Sequence, residues 1–234
     1  MSSLISGLIG IFSLLYVPYW ILVLSGPFTV FTLHPLGMCL LFAGNALAIN
    51  EFAFQRAQRA SKQQSTNGKS TKSVRAAEQH QRLQLTAFLM LLLGFTTVQY
   101  AKFTQGYSHF VSWHGTLGIA VTAGLVSIQT GAYLIYSGNK GMRAVLAKAG
   151  LTTTAFWKVH RLVGWILFSI VTWVLVLGMF TGFMLSSVEQ LRRRLLSFDH
   201  SPVTVDFGDL FQWTGIGLVA SIWLLVSRGV WIKA

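Results

Sequence analysis

The chain has 234 residues, of which 53% are hydrophobic and only 10% are charged, whereas soluble domains carry roughly 25% charged residues. A chain this poor in charge cannot cover a soluble core, and its single cysteine, Cys39, excludes a disulfide-bonded extracellular scaffold. The net charge of +12 does not indicate nucleic-acid binding, because the basic residues lie in connections between apolar blocks rather than on a folded polar surface.

Six long apolar blocks follow one another along the chain. Each approaches the ~20 residues that a helix needs to cross ~30 Å of hydrocarbon. The first block is 21 residues long and lacks both a basic leader and a small-residue cleavage site, so we interpret it as a mature helix rather than a secretory signal. The predicted fold is therefore an all-α integral membrane protein. Its single domain, residues 1–234, would contain six transmembrane helices at 4–24, 28–54, 83–101, 110–136, 158–185 and 210–231.

A polar stretch at residues 55–79 separates the second and third blocks. It is rich in Ser, Gln and Lys and cannot bury a core, so we predict a mobile cytosolic loop. Fourteen of the 18 basic residues lie in or beside this connection, in or beside the one after the fourth block, or at the C-terminal end. Basic residues concentrate on the cytoplasmic side of membrane proteins, so both termini are predicted to be cytoplasmic. The arginine triplet at residues 192–194 is an exception on the opposite side.

Four of the six histidines lie at matched depths in the four central blocks. His34 and His114 are near the starts of the second and fourth blocks, and His80 and His160 are near the starts of the third and fifth. Because consecutive helices run in opposite directions, His34 pairs with His114 on the non-cytoplasmic side and His80 with His160 on the cytoplasmic side. The members of each pair are 80 residues apart, which predicts a duplicated two-helix unit.

A lone histidine in a span can serve as a polar contact between helices, but two matched pairs favour a metal. Imidazole pairs suit haem iron, copper or zinc. Neither Glu51 nor Cys39 lies at a matching depth, so each site has two neutral ligands. This favours a haem held from both faces, and without a CxxCH motif that haem is non-covalent and b-type. With both axial positions filled, it would transfer electrons rather than bind a substrate at iron.

Glycines and amides in the central helices admit two interpretations. A missing side chain lets a flat porphyrin approach the backbone, although close packing of helices through small residues is equally consistent. Asn45 and Gln99 are expected to make interhelical hydrogen bonds rather than contact a haem propionate. The glycines concerned are Gly37, Gly44, Gly94, Gly115, Gly118, Gly124, Gly164 and Gly178.

Four segments around the histidines resemble the cytochrome b561 family, most closely its short stand-alone branch of transmembrane monodehydroascorbate and ferric reductases. The segments are FTLHPLGM with His34, HQRLQL with His80, HFVSWHGTLG with His114 and KVHRLVGW with His160. The resemblance implies six helices, with a central four-helix bundle that holds two b haems in the crossed pairs His34 with His114 and His80 with His160. It also implies ascorbate as the cytosolic electron donor, with monodehydroascorbate or a ferric chelate as acceptor on the opposite face.

The donor site is predicted among cations near the cytoplasmic histidine pair, because a monoanion in a partly dehydrated rim needs a positive partner. Glu78 and Thr154 stand where members of the family often carry basic residues. The candidate cations could equally serve only to set the membrane topology. These are Lys72, Arg75, Lys158 and Arg161.

The acceptor site is predicted on the opposite side, at Lys102 and His109, which precede His114. Lys102 is the only basic residue between the third and fourth helices, and His109 could orient the acceptor or supply a proton. The arginine cluster at residues 192–194 could supply the charge instead.

Three other functions stay open from the sequence: a quinol-linked electron-transfer subunit, a histidine-based metal transporter without haem, and a structural membrane protein. An endomembrane or vesicle membrane is expected rather than the plasma membrane. Membrane lipid is the predicted surrounding, no nucleic-acid partner is expected, and a homodimer is left open.

Overall fold

The structure is a computed structural model that describes residues 2–13, 29–63, 72–106, 108, 111–181 and 207–231. Within these residues all regular structure is helical. A short 3-10 turn, Val30–Thr32, leads into the second helix. The helices are α1 Ser2–Ile11, α2 Leu33–Gln63, α3 Lys72–Gln105, α4 Trp113–Tyr136, α5 Lys140–Lys148, α6 Thr153–Gly178 and α7 Phe207–Trp231.

Four helices of the described part are long and apolar enough to cross a membrane. The spans are Val30–Gln55, Ala77–Gln105, Trp113–Tyr136 and Thr153–Gly178. They confirm an all-helical integral membrane protein and the four central predicted helices. The sixth predicted helix overlaps a shorter apolar stretch in α7, and most of the first falls at residues 14–28, outside the described part. The count of six spans stays a prediction.

Helices α2 and α3 extend into the stretch that was predicted to be a mobile loop. Residues 55–63 belong to α2 and residues 72–79 to α3, so the loop prediction is wrong for them. Gln, Arg, Lys and Ala have high helix propensity, and a polar composition prevents burial rather than helix formation. Residues 64–71 lie outside the described part.

Capping residues set two helix starts that hydropathy did not predict. Helix α5, absent from the predicted elements, begins after Asn139, whose side chain accepts a hydrogen bond from the Met142 amide. Helix α6 begins at residue 153 rather than 158, because the Thr152 side chain accepts from the Ala155 amide at 3.1 Å. A side-chain acceptor at the N-cap satisfies an amide that the helix leaves without a partner. At these two positions the N-cap hydrogen bond, rather than the edge of an apolar block, decides where the helix begins.

The predicted fifth helix ends early. Residues 179–181 form a turn and a bend, so the prediction of helix to residue 185 is wrong there. Gly178 is the last helical residue, and glycine is a poor helix former because it loses the most backbone freedom. Residues 182–185 lie outside the described part.

Two antiparallel helix pairs, α2 with α3 and α4 with α6, form the centre of the molecule. A Cβ on Gly44 would lie 2.9 Å from the Ala87 Cβ, and one on Gly124 would lie 2.7 Å from the Leu167 Cδ2. The two contacts are related by the same shift of 80 residues that relates the histidines. The predicted duplication therefore exists in the packing as well as in the sequence.

Two side-chain contacts join the helix pairs to each other. Phe42 of α2 stacks on Phe168 of α6 with ring centroids 5.5 Å apart. Gln129 of α4 donates from Nε2 to the Gln84 Oε1 of α3 at 2.6 Å. Together these contacts close a four-helix bundle, against which α1 and α7 pack through its α2 and α6 side.

Candidate functional site

His34 and His114, here called the outer pair after their predicted side, lie at the same end of the bundle. Each is the second residue of its helix, α2 or α4. Their ring centroids are 6.1 Å apart and their planes are at 82°. The structure thus brings together two histidines that are 80 residues apart in the sequence.

Both rings of the outer pair are held by a backbone carbonyl. His34 Nδ1 lies 2.9 Å from the Gly94 oxygen, and His114 Nδ1 lies 2.9 Å from the Val174 oxygen. A carbonyl can only accept, so Nδ1 must carry the proton in each ring. The neutral imidazole then has its lone pair on Nε2. This is how metal-binding histidines are usually oriented, with the second nitrogen donating to a carbonyl.

His80 and His160, here called the inner pair, lie in α3 and α6 at the other end of the bundle. His80 Nδ1 donates to the Ala48 oxygen at 3.1 Å. His160 lies within electrostatic range of His80, and its buried Nδ1 has no hydrogen-bond partner. The shift of 80 residues would place its partner at the Ile128 carbonyl. The inner pair therefore lacks one of the four orienting hydrogen bonds that the duplication would give.

Aromatic rings lie against both pairs. Phe31 is 5.8 Å from the His34 ring, and Phe52 is 5.2 Å from the His80 ring, between centroids. Trp157 lies 5.5 Å from the His160 ring at 80°. These contacts restrict the rotation of the imidazoles and exclude water from their faces.

Two groups of side chains lie between the pairs, on the histidine-bearing faces of the helices. Positions four and eleven residues after each histidine are about one and three turns along, and so share its face. The contact of Gly44 with Ala87 sets the register that brings such positions in α2 and α3 to neighbouring levels. Next to the outer pair is the outer layer, Met38, Leu91, Gly118 and Val171. Next to the inner pair is the inner layer, Asn45, Gln84, Leu125 and Gly164.

The glycines divide between the two interpretations that the sequence left open. Gly37, Gly44, Gly94 and Gly124 pack against the opposite helix, where a Cβ would come within 3.1 Å of another atom. Gly118 and Gly164, one turn from His114 and His160, are different. A Cβ at Gly118 would meet nothing closer than 3.9 Å, and one at Gly164 would meet nothing within 4 Å. These two leave space beside a histidine, as a flat ligand requires.

Gly178 has a third role, which the sequence did not distinguish. A Cβ there would lie 3.0 Å from the Cε1 and 3.3 Å from the Nδ1 of His114. The last residue of α6 is therefore packed against the ring of an outer-pair histidine. Its separation of 64 residues from His114 gives no sequence signal for this contact.

Asn45 does not make the interhelical hydrogen bond that was expected of its amide nitrogen. The residue is 5% exposed, and its Nδ2 has no hydrogen-bond partner. Asn50, further along the same helix, is 7% exposed and its Nδ2 also lacks a partner. Two donors are thus buried in α2 without acceptors.

The cations predicted near the inner pair are only partly described. Lys158 and Arg161 are exposed on α6 and flank His160 in the sequence. Lys72 and Arg75 lie in the first turn of α3, eight and five residues before His80, and their side chains lie outside the described part.

At the other end, Lys102 is near the outer pair. It lies within electrostatic range of both His34 and His114, and its Nζ donates to the Ser108 carbonyl at 3.2 Å. His109, the second predicted acceptor residue, and the arginines at 192–194 lie outside the described part.

The donor set of the outer pair fits a haem. Bonds between imidazole nitrogen and a metal are about 2 Å long, so two rings on opposite sides of one metal ion have centres about 6 Å apart. The observed 6.1 Å agrees with this spacing. Structural zinc takes four protein ligands and catalytic zinc three, and among the described side chains no group of three metal-ligating residues is found.

Comparison with known proteins agrees with this geometry. The sequence model described as eukaryotic cytochrome b561 matches residues 31–186, about two thirds of the chain. The match includes all four histidines and helices α2 to α6. A search of curated proteins finds no match. On the evidence of the family match, the chain belongs to the eukaryotic cytochrome b561 family, whose members transfer electrons across membranes by means of haem.

Proposed function

We propose that the chain binds two b-type haems, one between His34 and His114 and one between His80 and His160. Through them it would carry electrons from cytosolic ascorbate to monodehydroascorbate or a ferric chelate on the opposite face. The observation that carries the proposal is the outer pair, whose ring centroids are 6.1 Å apart and whose Nδ1 atoms both bind backbone carbonyls. Both Nε2 lone pairs are left for a metal.

The inner site is supported by the duplication. The same shift of 80 residues relates the histidines of each pair and the helix contacts of Gly44 and Gly124. His80 has its Nδ1 bound to a carbonyl like the outer rings. Gly164, beside His160, leaves the same kind of space that Gly118 leaves beside His114.

Each residue type has a defined part in this function. The carbonyls of Gly94, Val174 and Ala48 fix the ring orientation of three histidines. The histidines of each pair would hold a haem, and that haem would supply one-electron transfer. The apolar helices around the sites exclude water and hold the histidines in place, so little rearrangement accompanies a change of charge.

The proposed orientation has both termini in the cytoplasm, following the distribution of basic residues. Ascorbate would then approach the inner pair near Lys72, Arg75, Lys158 and Arg161. The exposure of Lys158 and Arg161 beside His160 supports a donor site there. These cations would attract the anionic donor to the rim of the bundle.

The acceptor would bind at the other end, near Lys102 and His109. The electrostatic reach of Lys102 to both outer histidines supports this position. Both proposed acceptors are small and anionic or oxygen-rich, so a lysine at the rim would favour their approach.

The first test is a reduced-minus-oxidised spectrum of the purified chain together with its haem-to-protein ratio. Two haems per chain with a bis-histidine b-type spectrum are expected. A chain that binds no haem but binds zinc or copper would instead support the transporter, and a ratio of one would mean that only one of the two pairs holds a haem.

The second test addresses donor and direction in proteoliposomes of known orientation. A membrane-impermeant ascorbate should reduce the haems when supplied on the face of the inner pair and should be slower from the other face. Equal reduction from both faces would contradict a dedicated cytosolic entry. Reduction by a quinol but not by ascorbate would favour the quinol-linked alternative.

A further inference from the structure

The inner and outer layers between the two histidine pairs differ in polarity. The outer layer consists of aliphatic side chains, a thioether and a glycine. The inner layer contains two amides, Asn45 and Gln84, with a third amide, Gln129, hydrogen-bonded to Gln84 at 2.6 Å. The amides lie on the membrane-centre side of the inner pair, where no charged substrate needs to reach.

Asn45 lies on the face of α2 that carries the sites. His34, eleven residues before it, contacts the ring of His114, and Phe52, seven residues after it, contacts the ring of His80. Eleven and seven residues are about three and two helical turns. The three side chains therefore lie in one row, with Asn45 between the pairs and closer to His80.

The amide nitrogen of Asn45 requires a partner that the protein does not provide. The side chain is 5% exposed and its Nδ2 makes no hydrogen bond. A buried donor without an acceptor costs on the order of 1–3 kcal/mol, and no bulk water reaches the hydrocarbon region of a membrane bundle. In α3, the Gln84 Oε1 accepts a hydrogen bond from Gln129.

We propose that Asn45 directs its amide N–H groups at the haem of the inner pair and thereby raises the reduction potential of that haem. The inference rests on the proposed function, since it assumes that His80 and His160 hold a haem. Reduction adds one negative charge to the site, and the positive end of an N–H dipole stabilises that charge most strongly in a low-dielectric interior. Hydrogen bonding around a haem is one of the levers by which a protein sets its potential.

Asn50 provides a matched control in the same helix. Like Asn45 it is buried with an amide nitrogen that has no partner. It is five residues further on, which turns it about 140° away from Asn45 around the helix. If any buried amide in α2 changed the haem potential, replacing Asn45 and replacing Asn50 would have equal effects. If the effect depends on the direction of the amide, only replacement of Asn45 changes the potential.

The experiment is an optical redox titration of the purified full chain and its Asn45→Leu, Asn45→Ala and Asn50→Leu variants. The inner haem is identified as the one absent from His160→Ala. Both Asn45 variants should retain two haems and lower the potential of the inner haem, leaving that of the outer haem unchanged. Asn50→Leu should shift neither potential.

Several outcomes would overturn the inference. An inner potential that is unchanged or raised in both Asn45 variants would do so, as would an equal shift in Asn50→Leu or in the outer haem. If Asn45→Leu failed to fold, the Asn45→Ala titration would decide. A wild-type chain without haem would contradict the proposed function itself. Two haems whose potentials are unchanged in the Asn45 variants would contradict only the role of Asn45.

Discussion

The outer and inner histidine pairs, each with one histidine from either copy of the duplicated two-helix unit, differ in the hydrogen bonds that hold their rings. In the outer pair both Nδ1 atoms bind carbonyls and the ring centroids are 6.1 Å apart. In the inner pair only His80 has such a bond, and the Nδ1 of His160 has no partner. The surroundings differ as well, with an aliphatic outer layer and an amide-containing inner layer. Each copy of the two-helix unit supplies one histidine to the outer pair and one to the inner pair, so the two sites are built from different residues of the unit.

The largest expected effect separates the two sites completely. His80→Ala or His160→Ala should remove one haem per chain, and His34→Ala or His114→Ala should remove the other, because a haem with one axial ligand is poorly retained. Haem-to-protein ratios and difference spectra measure this directly. Loss of both haems in a still-folded variant, or loss of neither, would contradict the pairing.

A second prediction uses the space beside each site. Gly118→Leu should exclude the outer haem and Gly164→Leu the inner haem, because each glycine leaves room one turn from a histidine. Haem content of the two variants is the measurement. Gly131→Ala, where an added Cβ meets only Phe156 at 3.9 Å, is the control and should retain two haems. Retention of both haems in Gly118→Leu and Gly164→Leu would return these glycines to a packing role.

A third prediction compares the two helix pairs in stability. A Cβ on Gly37 would lie 2.7 Å from the Met90 carbonyl oxygen, so the α2 and α3 backbones must separate. We expect Gly37→Ala to cost roughly 1–3 kcal/mol. Gly124→Ala should cost less, since it meets the end of the flexible Leu167 side chain. Thermal unfolding in detergent tests the order, and a larger loss for Gly124→Ala would contradict it.

The smallest effect concerns the charge near the outer pair. Lys102→Met should lower the reduction potential of the outer haem. The free energy of reduction should change by no more than about 1 kcal/mol, since a partly exposed charge is screened by solvent. The inner haem should not respond. Lys148→Met, which removes a lysine at the end of α5, is the control for net charge. A shift that does not decrease with added salt would argue against a direct electrostatic effect.

The membrane class, the four central spans and the candidate ligands were predictable from the sequence for simple reasons. Hydrocarbon thickness imposes a length of apolar residues that can be counted. Helix direction alternates from span to span, so the depth of His34, His80, His114 and His160 predicts which histidines share a face. The 80-residue repeat predicts the same pairing independently.

The sequence was less informative about polar segments. Hydropathy predicts a loop at residues 55–63 and 72–79, but these residues are helical. Hydropathy measures burial and not the preference of the backbone for a helix. The start of α6 depends on the cap at Thr152, and the end depends on Gly178. These are local hydrogen-bond and entropy effects of single residues, which a search for apolar blocks does not detect.

By itself the sequence determined that the chain enters the membrane, where its histidines lie in depth and which of them can meet. Only the tertiary structure decided which nitrogen is free in the rings of His34, His80 and His114, which glycines pack helices and which leave space, and that the amide nitrogen of Asn45 is buried without an acceptor. Sequence periodicity specifies the level and the face of a residue on its own helix. The partner that it meets depends on how closely neighbouring helices approach, and that approach is set by contacts between residues far apart in the chain.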